Sequence, residues 1–192
     1  MKPSNLLQGD RVRLDALKRG DLLLMGKWYQ QADFLRLLDA RPAIPQSETI
    51  LAAWLEERHR ATDGFIFGIR LVETEELLGW VELENILWTH QVAWVSVCIG
   101  NSQHRGKGYG YEAMQLILQF AFDELNLYRL QLTVFAYNDR AIALYKKLGF
   151  QQEGTYREFL QRDGKRHDMY LYGLLRPEWN PPSAIALSPE NS

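Results

Sequence analysis

The sequence predicts an α/β fold with a mixed, mostly antiparallel central sheet of about seven strands flanked by about four helices. Three observations lead there. Seven segments, 10–17, 65–72, 77–87, 92–99, 128–135, 155–160 and 166–174, read as strands by alternation or by short apolar runs. The segments 22–38, 47–58, 111–122 and 139–148 instead repeat apolar residues at helical spacing. Short polar turns, ending in the hairpin signal Asp163-Gly164, favour antiparallel neighbours.

Taken in order, segment 10–17 alternates charged and apolar residues, as a half-buried strand does. After Arg19-Gly20, Asp21 starts one or two helices rich in Leu, Trp and Phe, which Pro42 and Pro45 terminate. Ser47 is placed to cap the next helix, through Leu51, Trp54, Leu55 and Arg58. Three strands follow as a meander. The helix after 105–110 ends near Asn126, and the next strand runs into a helix that starts near Asn138 and stops at Gly149. The predicted domain is 1–179. Residues 180–192, rich in Pro, Ser and Asn, read as a flexible tail that buries little surface.

Apolar residues are 46% of the 192 and charged residues 24%, with a net charge of -2. Such a chain builds one core and carries no bulk attraction to nucleic acid or an anionic membrane. No apolar run approaches about 18 residues, so the expected location is cytoplasmic. Cys98, the single cysteine, reads as a small core residue rather than a nucleophile. His59, His90, His104 and His167 have no metal-ligand spacing, and no metal is expected.

The chain is organised around Arg105-Gly106-Lys107-Gly108-Tyr109-Gly110, between a strand and a helix. Glycine lets the backbone point successive N–H groups at one spot, and a helix start adds unpaired N–H groups at the positive end of its dipole. An anion, phosphate first among them, fits there, with Arg105 as a fork and Lys107 as a point charge. Spacing selects among phosphate loops. From Gly100, five residues precede Gly106-Lys107 where a P-loop needs four, and Gly108 stands where it needs Ser or Thr. A dinucleotide fingerprint needs an acid about 20 residues on, where Tyr128-Arg129-Leu130 stands. The pattern that fits at every position is Arg or Gln, two residues, Gly, one residue, then Gly or Ala.

With that loop, and with Asn138-Asp139-Arg140-Ala141-Ile142-Ala143-Leu144-Tyr145-Lys146-Lys147-Leu148-Gly149-Phe150 following about 30 residues later, the sequence resembles the Gcn5-related N-acetyltransferase (GNAT) family. The resemblance covers about 10–179. Its segments Gly110-Tyr111-Glu112-Ala113 and Glu153-Gly154-Thr155-Tyr156-Arg157-Glu158 are similar to the branch of ribosomal-protein N-terminal and spermidine acetyltransferases. It implies the GNAT fold, acetyl-CoA as cosubstrate, an amine acceptor, direct transfer in a ternary complex, and a homodimer as an option that no sequence feature marks. Coenzyme-binding positions carried by the resemblance are Arg105, Gly106, Lys107, Gly108, Tyr109 and Gly110, backbone donors around Val97, Cys98 and Ile99, and Asn138.

Acetyl transfer from a thioester needs a neutral amine, a polarised carbonyl and a stabilised thiolate. The resemblance places Tyr145 near the coenzyme sulfur as a proton donor, where spacing alone favours a core aromatic of an amphipathic helix. Asn138 is read both as a pantetheine partner and as a helix N-cap. For the base, Glu82 and Glu84 share one strand face, and Glu82 is chosen, acting directly or through a water held by Ser96. Many relatives carry a glutamate where Trp94 stands here. Acids at Glu73, Glu75, Glu76, Glu82 and Glu84 suit a cationic acceptor or, as a bland alternative, a solvated strand face. A different class of reading is an acetyl-CoA sensor without turnover; a nucleotide-dependent oxidoreductase lacks its ribose-binding acid.

Overall fold

The protein is described by a computed structural model that covers residues 6–181. Apart from Asn180 and Pro181, the expected tail lies outside the described residues. Seven strands form one sheet: β1 Val12–Asp15, β2 Phe65–Leu71, β3 Leu77–Leu87, β4 Val92–Ile99, β5 Arg129–Phe135, β6 Gln151–Arg162 and β7 Lys165–Leu175. Their order is β1-β2-β3-β4-β5-β7-β6. Every neighbouring pair is antiparallel except β4 and β5.

Among the described residues five α-helices cover the sheet: α1 Leu22–Trp28, α2 Ala32–Leu38, α3 Glu48–Arg60, α4 Tyr109–Gln119 and α5 Asp139–Lys147. The expected 22–38 segment is therefore two helices. Ser47 Oγ caps α3 by accepting from Ile50 N at 3.3 Å, and α4 runs on into a π turn, Phe120–Glu124, closed by Asn126 at positive φ.

The faces of the sheet bury separate clusters. Ala113, Met114, Ile117 and Leu118 of α4 pack on Ile69, Val81, Leu83 and Val95. On the other face Leu22, Met25 and Trp28 of α1, Phe34 of α2 and Leu51 and Leu55 of α3 close over Ile66 and Trp80. Each fully buried aliphatic contributes about 1.5–3 kcal/mol, so the packing holds the sheet rigid between two helical layers.

Candidate active site

β4 and β5 pair over only three residues each, Val92, Ala93 and Trp94 with Arg129, Leu130 and Gln131. Beyond them a cavity of about 810 Å³ lies between the strands, with 95–99 on one wall and 133–135 on the other. Strand alternation determines which backbone groups face it. Gly100 N donates to Leu78 O at 2.9 Å. In the β3–β4 register, Cys98 and Ser96 therefore also direct their main-chain groups to β3, leaving those of Val97 and Ile99 facing the gap. Cys98 lines the cavity by its side chain, so the expected donors narrow to Val97 and Ile99.

At one end of the cavity stands the glycine loop. Gly106 and Gly108 adopt φ of +77° and +87°, which side chains with a Cβ rarely reach, while Gly110 is an ordinary residue in the first turn of α4. The N–H groups of Gly106, Lys107 and Gly108 find no backbone acceptor among the described residues, and those of the first turn of α4 have none within the helix. Together they form an anion cradle. Lys107 and Tyr109 flank it, Lys107 exposed. Arg105 is committed differently from a free fork: its Nε donates to Ile99 O and its Nη2 to Gly100 O, both at 2.9 Å, so it fastens the loop to β4.

Other braces and charges around the loop had no assigned role in the sequence reading. Glu112 Oε1 accepts from Arg11 N at 2.7 Å and from Val12 N at 3.1 Å, while Arg11 Nη1 donates to Lys107 O at 3.0 Å. This ties β1 to the start of α4. Arg140 and Lys147 of α5 bring two cations to the same cavity. The partners Arg11 and Glu112 lie 101 residues apart, a separation that hides the pair in the sequence.

Tyr145 projects from α5 into the cavity wall, only 6% exposed and edge-on to Phe150 at 5.9 Å. Burial, with a smaller effect of Cys98, pushes its hydroxyl up to about 12, so it stays protonated and able to donate at neutral pH. Asn138 caps α5 through Oδ1, which accepts from Ala141 N at 3.3 Å, and also lines the cavity. Cys98 is held as a thiol, since burial pushes its pKa up.

Glu82 lies on the same cavity, 6% exposed, opposite Ser96 in the β3–β4 register. Desolvation drives its carboxyl up to about 7, despite opposition from Arg58 and with help from Glu84. Arg58 Nε is 2.9 Å from Glu82 Oε1, off the line of a hydrogen bond, and its Nη2 is 3.7 Å from Glu84 Oε2. The acids of the β2–β3 turn are elsewhere: Glu75 pairs with Arg13 and Glu76 with His104. Tyr29, Phe34, Trp54 and Trp80 line this end of the cavity, whereas Trp28 is core and Trp88 is about half exposed. Arg162, outside the cavity lining, braces the segment after α2, its Nη2 donating to the carbonyls of Asp39, Ala40 and Arg41 at 3.0–3.3 Å.

Residues 11–151, which include the loop, the splayed strands and α5, match the acetyltransferase (GNAT) domain. The chain belongs to the GNAT family. A GNAT relative, the uncharacterized N-acetyltransferase YnaD of Bacillus subtilis, is 34% identical over 92 residues, 48% of this chain and 52% of that protein, so the match spans about half of that relative's length. The ribosomal protein uS5-alanine N-acetyltransferase of Escherichia coli is 26% identical over 187 residues, covering 93% of this chain and 95% of that protein. Among solved structures, spermidine N-acetyltransferase from Vibrio cholerae, in complex with CoA and spermine, superposes with a TM-score of 0.79 at 25% identity, over 87% of this chain and 96% of that one. Among the described residues of this GNAT chain, no cluster of three His, Cys, Asp or Glu could hold a metal, and no helix is long and apolar enough to cross a membrane.

Proposed function

We propose that this chain moves acetyl from acetyl-CoA directly to a primary amine within a ternary complex. The carrying observation is that one cavity is lined by the loop, the unpaired edge of β4, Tyr145 and Glu82. The loop cradle and the cations of α5 suit the coenzyme's phosphates, and Asn138 with the groups of Val97 and Ile99 suits its pantetheine arm. The N–H of Val97 or Ile99 would polarise the acetyl carbonyl.

Glu82 takes the ammonium proton, directly or through a water at Ser96. The amine nitrogen then attacks the carbonyl carbon, a C–N bond forms, the C–S bond breaks as Tyr145 donates its proton to sulfur, and the second proton released by the nitrogen restores the Tyr145 hydroxyl through water. A base near 7 suits an α-amine of pKa 7.7–8, whose proton costs about 1 kcal/mol to remove at pH 7, better than a Lys-like amine at about 4.6 kcal/mol. The raised pKa of Cys98 supports direct transfer over an acetyl-cysteine route.

Initial rates with varied acetyl-CoA and amine should give intersecting lines, and acetyl-CoA should raise the unfolding temperature where NAD and ATP do not. Parallel lines or trapped acetyl-enzyme would contradict direct transfer. A thermal shift without acetylation of any amine would favour a coenzyme sensor.

A further inference from the structure

The acceptor end of the cavity has an unusual charge balance. It holds the carboxylates of Asp39, Glu82 and Glu84 and the guanidinium groups of Arg41 and Arg58. Asp39 Oδ2 is 2.5 Å from Arg41 Nε, and Arg58 reaches both glutamates. Each carboxylate therefore faces an arginine, and with both glutamates ionised the end carries one net negative charge. That balances one ammonium. The surrounding wall is aromatic: Tyr29 stacks on Trp80 at 6.2 Å and Trp54 tilts against it at 5.7 Å. Leu37 and Leu38 extend the apolar surface, and Phe159, 47% exposed, stands at its edge.

Resting on the acetyl-transfer reading, we infer that the acceptor is a primary amine with a single positive charge borne on an apolar or aromatic group, and that Arg58 excludes polycationic amines. A single ammonium settles at Glu82 with its apolar body against Tyr29 and Trp54, where cation–π attraction and area burial act together. The second and third charges of a polyamine find their carboxylates already occupied. Bringing a charge out of water without a partner is costly, and approach to Arg58 adds like-charge repulsion. Arg58 thus acts as a specificity-determining residue through charge, and Lys can replace it only as a point charge.

The test measures kcat/KM at saturating acetyl-CoA for tryptamine, a Phe-first peptide amide, spermidine and spermine. With the native chain, tryptamine or the peptide should exceed spermidine at least about tenfold, which is one factor of ten, or about 1.4 kcal/mol. In Arg58→Gln the spermidine-to-tryptamine ratio should rise about tenfold, and in Arg58→Lys it should return towards the native value. A merely structural role would lower all amines together and leave the ratio fixed, which overturns the role of Arg58. Preference of the native chain for spermidine overturns the acceptor class even if Arg58→Gln fails to fold. If none of the four amines is acetylated, acetyl transfer itself is also overturned.

Discussion

The two ends of the cavity are built from different materials. The coenzyme end is mostly backbone: two glycines at positive φ, a helix start, and the free edge of β4 after its short pairing with β5. The acceptor end is mostly side chains drawn from α2, α3, β3 and the segments that follow α1 and α2, with charges paired across elements. Backbone recognition needs glycines at fixed spacing, whereas the charge pattern of Glu82, Glu84 and Arg58 exists only once α3 lies over β3. Substitutions should therefore separate the two ends, one set changing acetyl-CoA binding and the other changing chemistry.

The largest separation is expected from Glu82→Gln, which keeps the shape of the side chain and removes the base. kcat/KM for the amine should fall about 10²–10⁴-fold while acetyl-CoA raises the unfolding temperature as in the native chain. Tyr145→Phe comes next. It removes the proton donor and keeps the packing on Phe150, so kcat should fall about 10²-fold with little change in the KM for either substrate.

The coenzyme end answers to the backbone. Gly108→Val places a Cβ at φ +87°, about 3.0 Å from Arg11 Nη2, and should weaken acetyl-CoA binding about tenfold, measured by calorimetry. The smallest effect is expected from Asn138→Asp, which retains the cap of α5 and removes a side-chain N–H donor. The unfolding temperature should hold while the KM for acetyl-CoA rises about two- to tenfold.

Much of this division was legible before the structure. The strands and the final hairpin follow from alternation and from Asp163-Gly164, and the loop from its glycines and the helix after it. Two helices over 22–38 were one of the two options, but the position of the break was not legible, because Gln30 and Gln31 are not helix breakers; Trp28 and Phe34 on either side of it both pack on Trp80. β6 is longer than its alternation suggests, since most of its residues are exposed and pairing with β7 extends it. Arg105 shows the limit at the loop itself: its sequence position fits a phosphate fork, yet nearby carbonyls of Ile99 and Gly100 take its donors. Arg58 lies 24 positions before Glu82 on a different element, and no local pattern joins them.

Glu82 also links catalysis to stability. Its carboxyl is raised from 4.5 to about 7 in the folded chain, so the folded state holds that proton more tightly. The contribution is fully present below about 4.5 and is lost as pH rises through 7, up to about 3 kcal/mol in all. Glu82→Gln should flatten that part of the stability curve, as followed by urea unfolding between pH 5 and 8.

The most direct test is the pH dependence of kcat/KM for a single α-amine at saturating acetyl-CoA, in the native chain and in Glu82→Gln. The native rate should rise through an apparent pKa near 7, as the carboxyl becomes able to accept a proton, and that limb should be missing from the variant. If the variant keeps the same limb and the same rate, Glu82 is not the base, and the division of labour drawn between the two ends of the cavity is wrong.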